Sequence, residues 1–253
     1  MNDGVRMNDE VVLLTGGSRG IGLASVRALH KAGARVAFTY STREEDARAL
    51  CIELGDRVQS IRCDLSDYDS LPGVLDTCVA RFGRIDVLIN NGAVFEHNPF
   101  FGTDYKAWQR GWERTFSINL FGTANLTWLA LQHMREQGRG KIINVASRSA
   151  HRGELEFADY GASKAALVNL TKSIARSCAP HGIVAIAIAP GFIETEMAAE
   201  ELRSRRAEIE SEIPARRVGT ADEVATIVTF FAGAGGDYAN GATIDVNGGS
   251  YVR

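Results

Sequence analysis

Seven short apolar runs, at residues 11–15, 35–39, 58–62, 87–90, 141–146, 184–189 and 243–246, alternate along the chain with longer segments whose apolar residues recur every three or four positions. Several runs are rich in the β-branched residues that strands favour, and the segments 21–32, 44–54, 70–82, 105–137, 160–179 and 221–232 carry the helical period. Strand-helix alternation of this kind builds parallel strands, because each parallel connection needs a crossover long enough to hold a helix. The fold class that follows is α/β: a doubly wound, seven-stranded parallel sheet flanked by helices in three α/β/α layers. No linker, internal repeat or low-complexity tract interrupts the pattern, and there are only five prolines. One domain over 9–253 is therefore expected, behind a loose polar tail at 1–8 in which Met7 offers a second start.

Composition narrows the partners. With 28 basic and 31 acidic side chains the net charge is −3, which argues against nucleic acid or an anionic membrane as a main partner. Cys51, Cys63, Cys78 and Cys178 are far apart and form no C-x-x-C pair or zinc-like group, so they read as reduced thiols and no metal site is expected. The first ten residues lack an apolar core and no run approaches the ~20 residues of a membrane span, so a cytoplasmic protein is expected.

Two local patterns carry chemistry. Straight after the first strand comes Thr15-Gly16-Gly17-Ser18-Arg19-Gly20-Ile21-Gly22, whose glycines allow a tight turn and close approach of a pyrophosphate to the N-terminus of the next helix. Glycine trios also occur as plain turns; the place between strand one and helix one favours a dinucleotide site. The second pattern is Tyr160 and Lys164, four residues apart and so on one face of a helix. A free tyrosine titrates near ~10, and an ammonium beside it favours the phenolate. Lowering the phenol by about three units would take roughly 4 kcal/mol, a sum that an ammonium, a cationic cofactor and a hydroxyl donor can supply together. Taken alone, Tyr-x-x-x-Lys is common on ordinary helices.

Over about residues 9–249 the chain resembles the short-chain dehydrogenase/reductase family, a Rossmann fold. The motifs recur in order: Thr15 to Gly22, Asp64 after strand three, Asn90-Asn91-Gly92-Ala93 after strand four, Asn119, Ser147, Tyr160 with Lys164, and Pro190-Gly191-Phe192-Ile193-Glu194-Thr195. The resemblance implies hydride transfer between a nicotinamide and a carbonyl or carbinol carbon, with Tyr160 exchanging the proton on oxygen. It implies that Lys164 lowers the Tyr160 pKa and binds the nicotinamide ribose, that Ser147 hydrogen-bonds the reacting oxygen, and that Asn119 fixes a water relaying protons through Lys164. Read on their own residues, Ser147 is also a strand-end turn residue with Ser149 as a competing hydroxyl, and Asn119 is also a polar kink in a long helix. On the cofactor side the resemblance implicates Thr15, Gly16, Ser18, Gly20, Ile21 and Gly22 at the phosphates. Asp64 with the Leu65 backbone would hold the adenine, Asn90 would line the adenosine side beside Asn91, Gly92 and Ala93, and the nicotinamide would meet the Ile193 backbone among Pro190, Gly191 and Thr195. The usual N-N-A-G appears with its small residues exchanged, so a methyl at Ala93 would crowd the cofactor if that position needs positive φ.

Strand two ends in Tyr40, not in the acid that binds a ribose 2′-hydroxyl. Ser41, Thr42 and Arg43 follow, and Arg19 sits inside the glycine motif, so two guanidiniums and two hydroxyls are placed to converge on a 2′-phosphate. NADP(H) is therefore expected over NAD(H); the other reading has Arg43 starting a solvated helix beside Glu44 and Glu45. Within the family the resemblance runs to the bacterial 3-oxoacyl-acyl-carrier-protein reductases, visible in 189–197 and 246–249, and implies an acyl carrier protein as a possible partner. At the carrier-docking arginines, however, stand Gly138 and His181, with Arg139 and Arg176 nearby and Glu136 at another basic position, which weakens steering toward an acidic protein. The loops 94–101 and 148–157 should shape a pocket for a small carbonyl or alcohol; their charges and aromatics suit a polar carbonyl compound or polyol as well as an acyl chain. Residues 195–212 read as a helical lid or a fixed surface helix. The family resemblance also implies a homotetramer through 105–137 and the Tyr160 helix, although Leu126, Leu129 and Met134 could equally be core. A sensor that binds cofactor without turnover is the alternative function, and it commonly lacks the tyrosine or the lysine that this chain retains.

Overall fold

The computed structural model describes residues 5–252. Seven strands, β1 (Val11–Leu14), β2 (Arg35–Tyr40), β3 (Val58–Arg62), β4 (Val87–Asn90), β5 (Gly140–Val145), β6 (Ile183–Pro190) and β7 (Thr243–Val246), pair in parallel in the order β3-β2-β1-β4-β5-β6-β7. The chain starts in the middle of the sheet, winds outward to β3, then returns beside β1 and winds the other way. That reversal between β1 and β4 opens a crevice at the strands' carboxyl ends.

Alternation along each strand divides the core between the two faces. Val12 and Leu14 pack with Val26, Leu29, Val224 and Val228, from α1 (Gly20–Lys31) and, later in the chain, Ala221–Ala232. Val11 and Leu13 point the other way and pack among Leu71, Leu75, Leu126 and Ile174. The remaining helices are α2 (Glu44–Leu54), α3 (Leu71–Phe82), α4 (Tyr105–Phe116), α5 (Thr123–Gln137), the short α6 (Ser149–Arg152), α7 (Ala158–Cys178) and α8 (Ala199–Glu212), with Ala221–Ala232 as α9.

Three expectations change in detail. The 105–137 segment is helical throughout but not one α-helix: Ser117–Gly122 forms a π-turn between α4 and α5. Leu126 and Met134 are fully buried within the chain and Leu129 packs against the same core, which settles them as core residues. In the stretch expected to be a tail, Met7 is buried in the α1-side core and its N–H donates to the Ala32 carbonyl at 2.8 Å, while residues 1–4 lie outside the described residues.

Candidate active site

The turn between β1 and α1 owes its shape to backbone that side chains would block. Gly16 has φ +72°, and a methyl on Gly22 would lie 2.0 Å from the Gly16 carbonyl oxygen. Thr39 closes the turn by accepting the Gly16 N–H on its hydroxyl at 3.1 Å. Thr15 turns inward, where its Oγ1 accepts from the N–H groups of Asn91 and Gly92 at 3.0 and 2.9 Å; Asn91 Nδ2 donates back to the Thr15 and Gly16 carbonyls, both at 3.0 Å. The loops after β1 and β4 are thus fastened together, and the exchanged Gly92-Ala93 pair fits because Ala93 does not adopt positive φ. Among the described residues no side chain caps the α1 N-terminus, and its first turn holds no acid, so N–H groups of that turn, beside the cleft, have no side-chain partner.

A cleft of about 380 Å³ runs from this turn to Tyr160. Its walls take in Gly16, Ser18, Arg19, Gly20, Ile21 and Gly22 at one end, with Tyr40, Ser41, Thr42, Arg43, Asp64 and Leu65 beside them. Asn91, Gly92 and Ala93 form the floor, and Ser147, Lys164, Pro190, Gly191, Ile193 and Thr195 surround Tyr160 at the other end. Asp64 Oδ1 accepts from the Ser66 hydroxyl at 2.7 Å and the Ser66 N–H at 2.9 Å, and these bonds hold its carboxyl below the usual range. Three expected residues stand behind the walls. Thr15 is the fastener just described. Asn90, expected on the adenosine side, instead donates from Nδ2 to Thr127 and Asn144 in the interior at 2.9 and 2.8 Å. Asn119, in the π-turn, lies behind Val94.

The two expected guanidiniums do converge, but on a carboxylate of this chain. Glu196 Oε2 accepts from Arg43 Nη2 and lies 3.7 Å from Arg19 Nη1. Arg43 also reaches Asp46 at 3.2 Å, within the first turn of α2.

At the other end, α7 presents Tyr160 and Lys164 on one face. Asp159, fully buried in its first turn, accepts from the Tyr160 N–H at 2.9 Å, from the Thr115 hydroxyl at 2.6 Å and from Asn98 at 3.3 Å, tying α7 to α4 and to the 94–101 loop. Phe95 meets the Tyr160 ring edge-on at 4.8 Å and stacks on Phe157 at 3.9 Å. Lys164 is 3 % exposed; its Nζ donates to the Val145 carbonyl at 2.8 Å and lies 5.7 Å from the Tyr160 ring centre. Burial pushes Lys164 down to about 8. Burial also pushes Tyr160 up to about 12, with the Ser147 hydroxyl pulling it back and the Glu154 carboxylate pushing it further. In the protein without cofactor, desolvation of the phenolate is the largest influence on Tyr160, and the group that lowers it is the Ser147 hydroxyl. Asn119 uses its side chain on protein groups: Oδ1 accepts from the Val94 N–H at 2.9 Å, and Nδ2 donates to the Val94 carbonyl at 3.0 Å and to Ser163 at 3.3 Å.

Sequence reasoning missed Arg148, Glu154 and Glu196 as wall residues, although the loop holding the first two was recognised as shaping the pocket. Ser147 Oγ donates to Ser149 Oγ at 3.0 Å, and Ser149 donates to Glu154 Oε1 at 2.8 Å. Ser149, also on the cleft, thus links Ser147 to a carboxylate. The only local signal was an acid six residues before Tyr160.

Comparison with known proteins agrees with this geometry. The family described as enoyl-(acyl carrier protein) reductase matches residues 16–251. The chain is 35% identical over 243 residues to the 3-oxoacyl-acyl-carrier-protein reductase of Escherichia coli, covering 96% of this chain and 98% of that one. It is 36% identical over 244 residues to the acetoacetyl-CoA reductase of Rhizobium meliloti, covering 95% and 98%. Among solved structures, a short-chain dehydrogenase/reductase described as a glucose/ribitol dehydrogenase, from Brucella melitensis, superposes with a TM-score of 0.90 at 32% identity, covering 99% of this chain and 100% of that one. With its parallel sheet, its glycine turn and its Tyr160–Lys164 helix, the chain belongs to the short-chain dehydrogenase/reductase family of oxidoreductases acting on carbonyl and alcohol groups.

Proposed function

We propose that the protein is an NADP(H)-dependent oxidoreductase that interconverts a carbonyl and a secondary alcohol, with Tyr160 exchanging the proton on the reacting oxygen. The observation that carries this reading is that one cleft holds Tyr160, Ser147 and Lys164 at one end and the uncapped α1 N-terminus at the other. When bound, the nicotinamide supplies or accepts the hydride. The chain's own groups do the rest. The glycine turn and the α1 N–H groups hold the pyrophosphate, Asp64 and Leu65 the adenine, and Arg19, Ser41, Thr42 and Arg43 the 2′-phosphate. Tyr160 at about 12 is a protonated phenol ready to donate in the reductive direction; the Lys164 ammonium and a cationic nicotinamide would favour its phenolate in the other. Asn119 acts as a positioning residue, holding Val94 against Ser163, the neighbour of Lys164.

NADPH consumption with a panel of carbonyl compounds tests the reading. Turnover that disappears in Tyr160→Phe is expected; no turnover across a broad panel, with NADPH still bound, would favour the cofactor sensor instead.

A second reading, reduction of 3-oxoacyl thioesters, draws support from the names of the relatives at 35–36% identity. Carrier docking has less to recommend it. Arg139 lies 3.1 Å from Asp86, which leaves it less available to replace the missing charge at Gly138, and Arg176 remains as an exposed cation. Turnover of acetoacetyl-CoA well above that of every polar ketone would favour this reading.

A further inference from the structure

The wall beside Ser147 carries an ion pair whose arginine the proton chemistry leaves without a role. Arg148 follows Ser147 directly, and its side chain is only 4% exposed; the guanidinium lies 4.8 Å above the Phe192 ring. Its Nε is 3.9 Å from Glu154 Oε1, too far for a hydrogen bond, and its Nη1 is buried with no hydrogen-bond partner among the described residues. Burial, with Arg152 nearby, depresses its pKa, while Glu154 and Glu212 act the other way. Glu154 is 17% exposed and takes one hydrogen bond, from Ser149. Both side chains line the cleft, and the Glu154 charge is near enough to Tyr160 to act on its proton.

A buried donor lacking an acceptor therefore stands beside a largely buried acceptor with lone pairs to spare, next to the hydroxyls that face the reacting oxygen. We propose that Arg148 and Glu154 form a subsite for a neutral hydroxyl group on the carbon next to the reacting carbon, so that the substrate class is hydroxyketones and the matching polyols. A hydroxyl oxygen accepts from Arg148 while its proton goes to Glu154, so one neutral group satisfies both. A carboxylate would gain from Arg148 what it lost at Glu154, and an amine the reverse, so neither charge matches both groups as a neutral hydroxyl does. The alkyl part of a 3-oxoacyl chain would offer neither group a partner, leaving both unpaired. This inference rests on the reading of Tyr160 and Ser147 as the groups at the reacting oxygen.

The test compares 3-hydroxy-2-butanone with 2-butanone, which differ by that one hydroxyl, and adds acetoacetyl-CoA. With the NADPH-loaded enzyme the hydroxyketone is expected to exceed the plain ketone in kcat/KM by about tenfold or more, the usual size of discrimination by a hydrogen bond to a charged group. Glu154→Gln and Arg148→Met should each bring the ratio toward one. A wild-type ratio near one overturns the proposal. So do variants that slow both ketones equally, as a merely structural role would, or acetoacetyl-CoA turnover that exceeds both ketones and survives Glu154→Gln. The same two ketones are also bound to the NADP⁺-loaded Tyr160→Phe protein and followed by saturation-transfer NMR, with and without Glu154→Gln. Selective binding of the hydroxyketone that is lost in the double variant supports the subsite without turnover. An enzyme that reduces nothing but keeps that selectivity refutes the reductase reading alone, and absence of the selectivity refutes the subsite.

Discussion

Glu196 sits where the proposed 2′-phosphate would be read, so the affinity for NADPH should be limited by a carboxylate of the protein itself. For a phosphate to take both arginines, the Arg43–Glu196 hydrogen bond and the 3.7 Å Arg19–Glu196 pair must open. All three side chains are about half exposed, at 51%, 41% and 54%, so each pair is discounted to the exposed range of about 0.2–1 kcal/mol. Together they amount to roughly 0.5–2 kcal/mol, or about 2- to 30-fold in dissociation constant. Glu196→Gln should tighten NADPH by about that factor and leave NADH, which lacks the phosphate, within about twofold. The assay is a fluorescence titration of both cofactors at low and high salt; the gain should shrink as salt screens the charges. Adding Arg43→Ala should remove most of it. An unchanged NADPH affinity, or equal gains for NADPH and NADH, would refute the idea that these arginines read the phosphate and that Glu196 competes for them.

Two further outcomes follow from burial. Lys164 is lowered to about 8 in the folded protein from 10.5, so between those values the unfolded chain binds more protons, and stability rises with pH at up to about 1.4 kcal/mol per unit. Urea unfolding of wild type and Lys164→Met at pH 7, 8, 9 and 9.8 should show a flat difference at the two lower values and a growing wild-type advantage above them; a constant difference would contradict it. Above pH 10 the raised Tyr160 acts in the opposite sense, because the unfolded phenol ionises first. On the 105–137 segment the apolar side chains left outside the core include Phe121 and Trp128, 52% and 61% exposed, and they are the candidates for the proposed tetramer contact. A Phe121→Glu, Trp128→Glu variant should sediment as a smaller species than wild type at micromolar concentration; identical profiles would place any assembly elsewhere.

The sheet and most helices were legible because buried parallel strands and half-buried helices impose different periods on the same apolar residues. The cleft was legible where a residue's place depends only on being at a strand's carboxyl end, as with Gly16, Ser147 and Gly191. What stayed hidden depended on direction or on distant partners. Asn90 follows Ile89 on a strand buried on both faces, so nothing in its neighbours reveals that its side chain turns to Asn144 on the adjoining strand. The π-turn contains no proline to announce it; Asn119 is held there by Val94, 25 residues away, and the helical period resumes after it. Glu196 meets Arg43 across 153 residues of sequence, a contact that the fold alone creates.

The segment after β6 shows why those hidden contacts gather where they do. Helix α8 is anchored by a small cluster, Leu202, Ile209, Ile213 and Val218 with Phe192 and Ala198, set apart from the two large cores on the faces of the sheet. Its remaining ties are exposed ion pairs such as Arg205–Glu208 at 2.6 Å and Arg206–Glu210 at 3.3 Å, each of a kind that contributes little. Few buried apolar contacts and exposed ion pairs are the features of elements that open readily, so modest differential contacts would suffice to set its position. Just ahead of it, Glu196 faces the arginines of the cofactor end; Phe192, which packs on the same cluster, covers Arg148 at the substrate end. A phosphate that took Arg43 would free the first contact, and a hydroxyl that engaged Arg148 would act beside the second. If α8 moves as a lid, holding it between two charged groups that both proposed ligands would address lets it respond to each of them, whereas a helix fused into either large core would answer to neither.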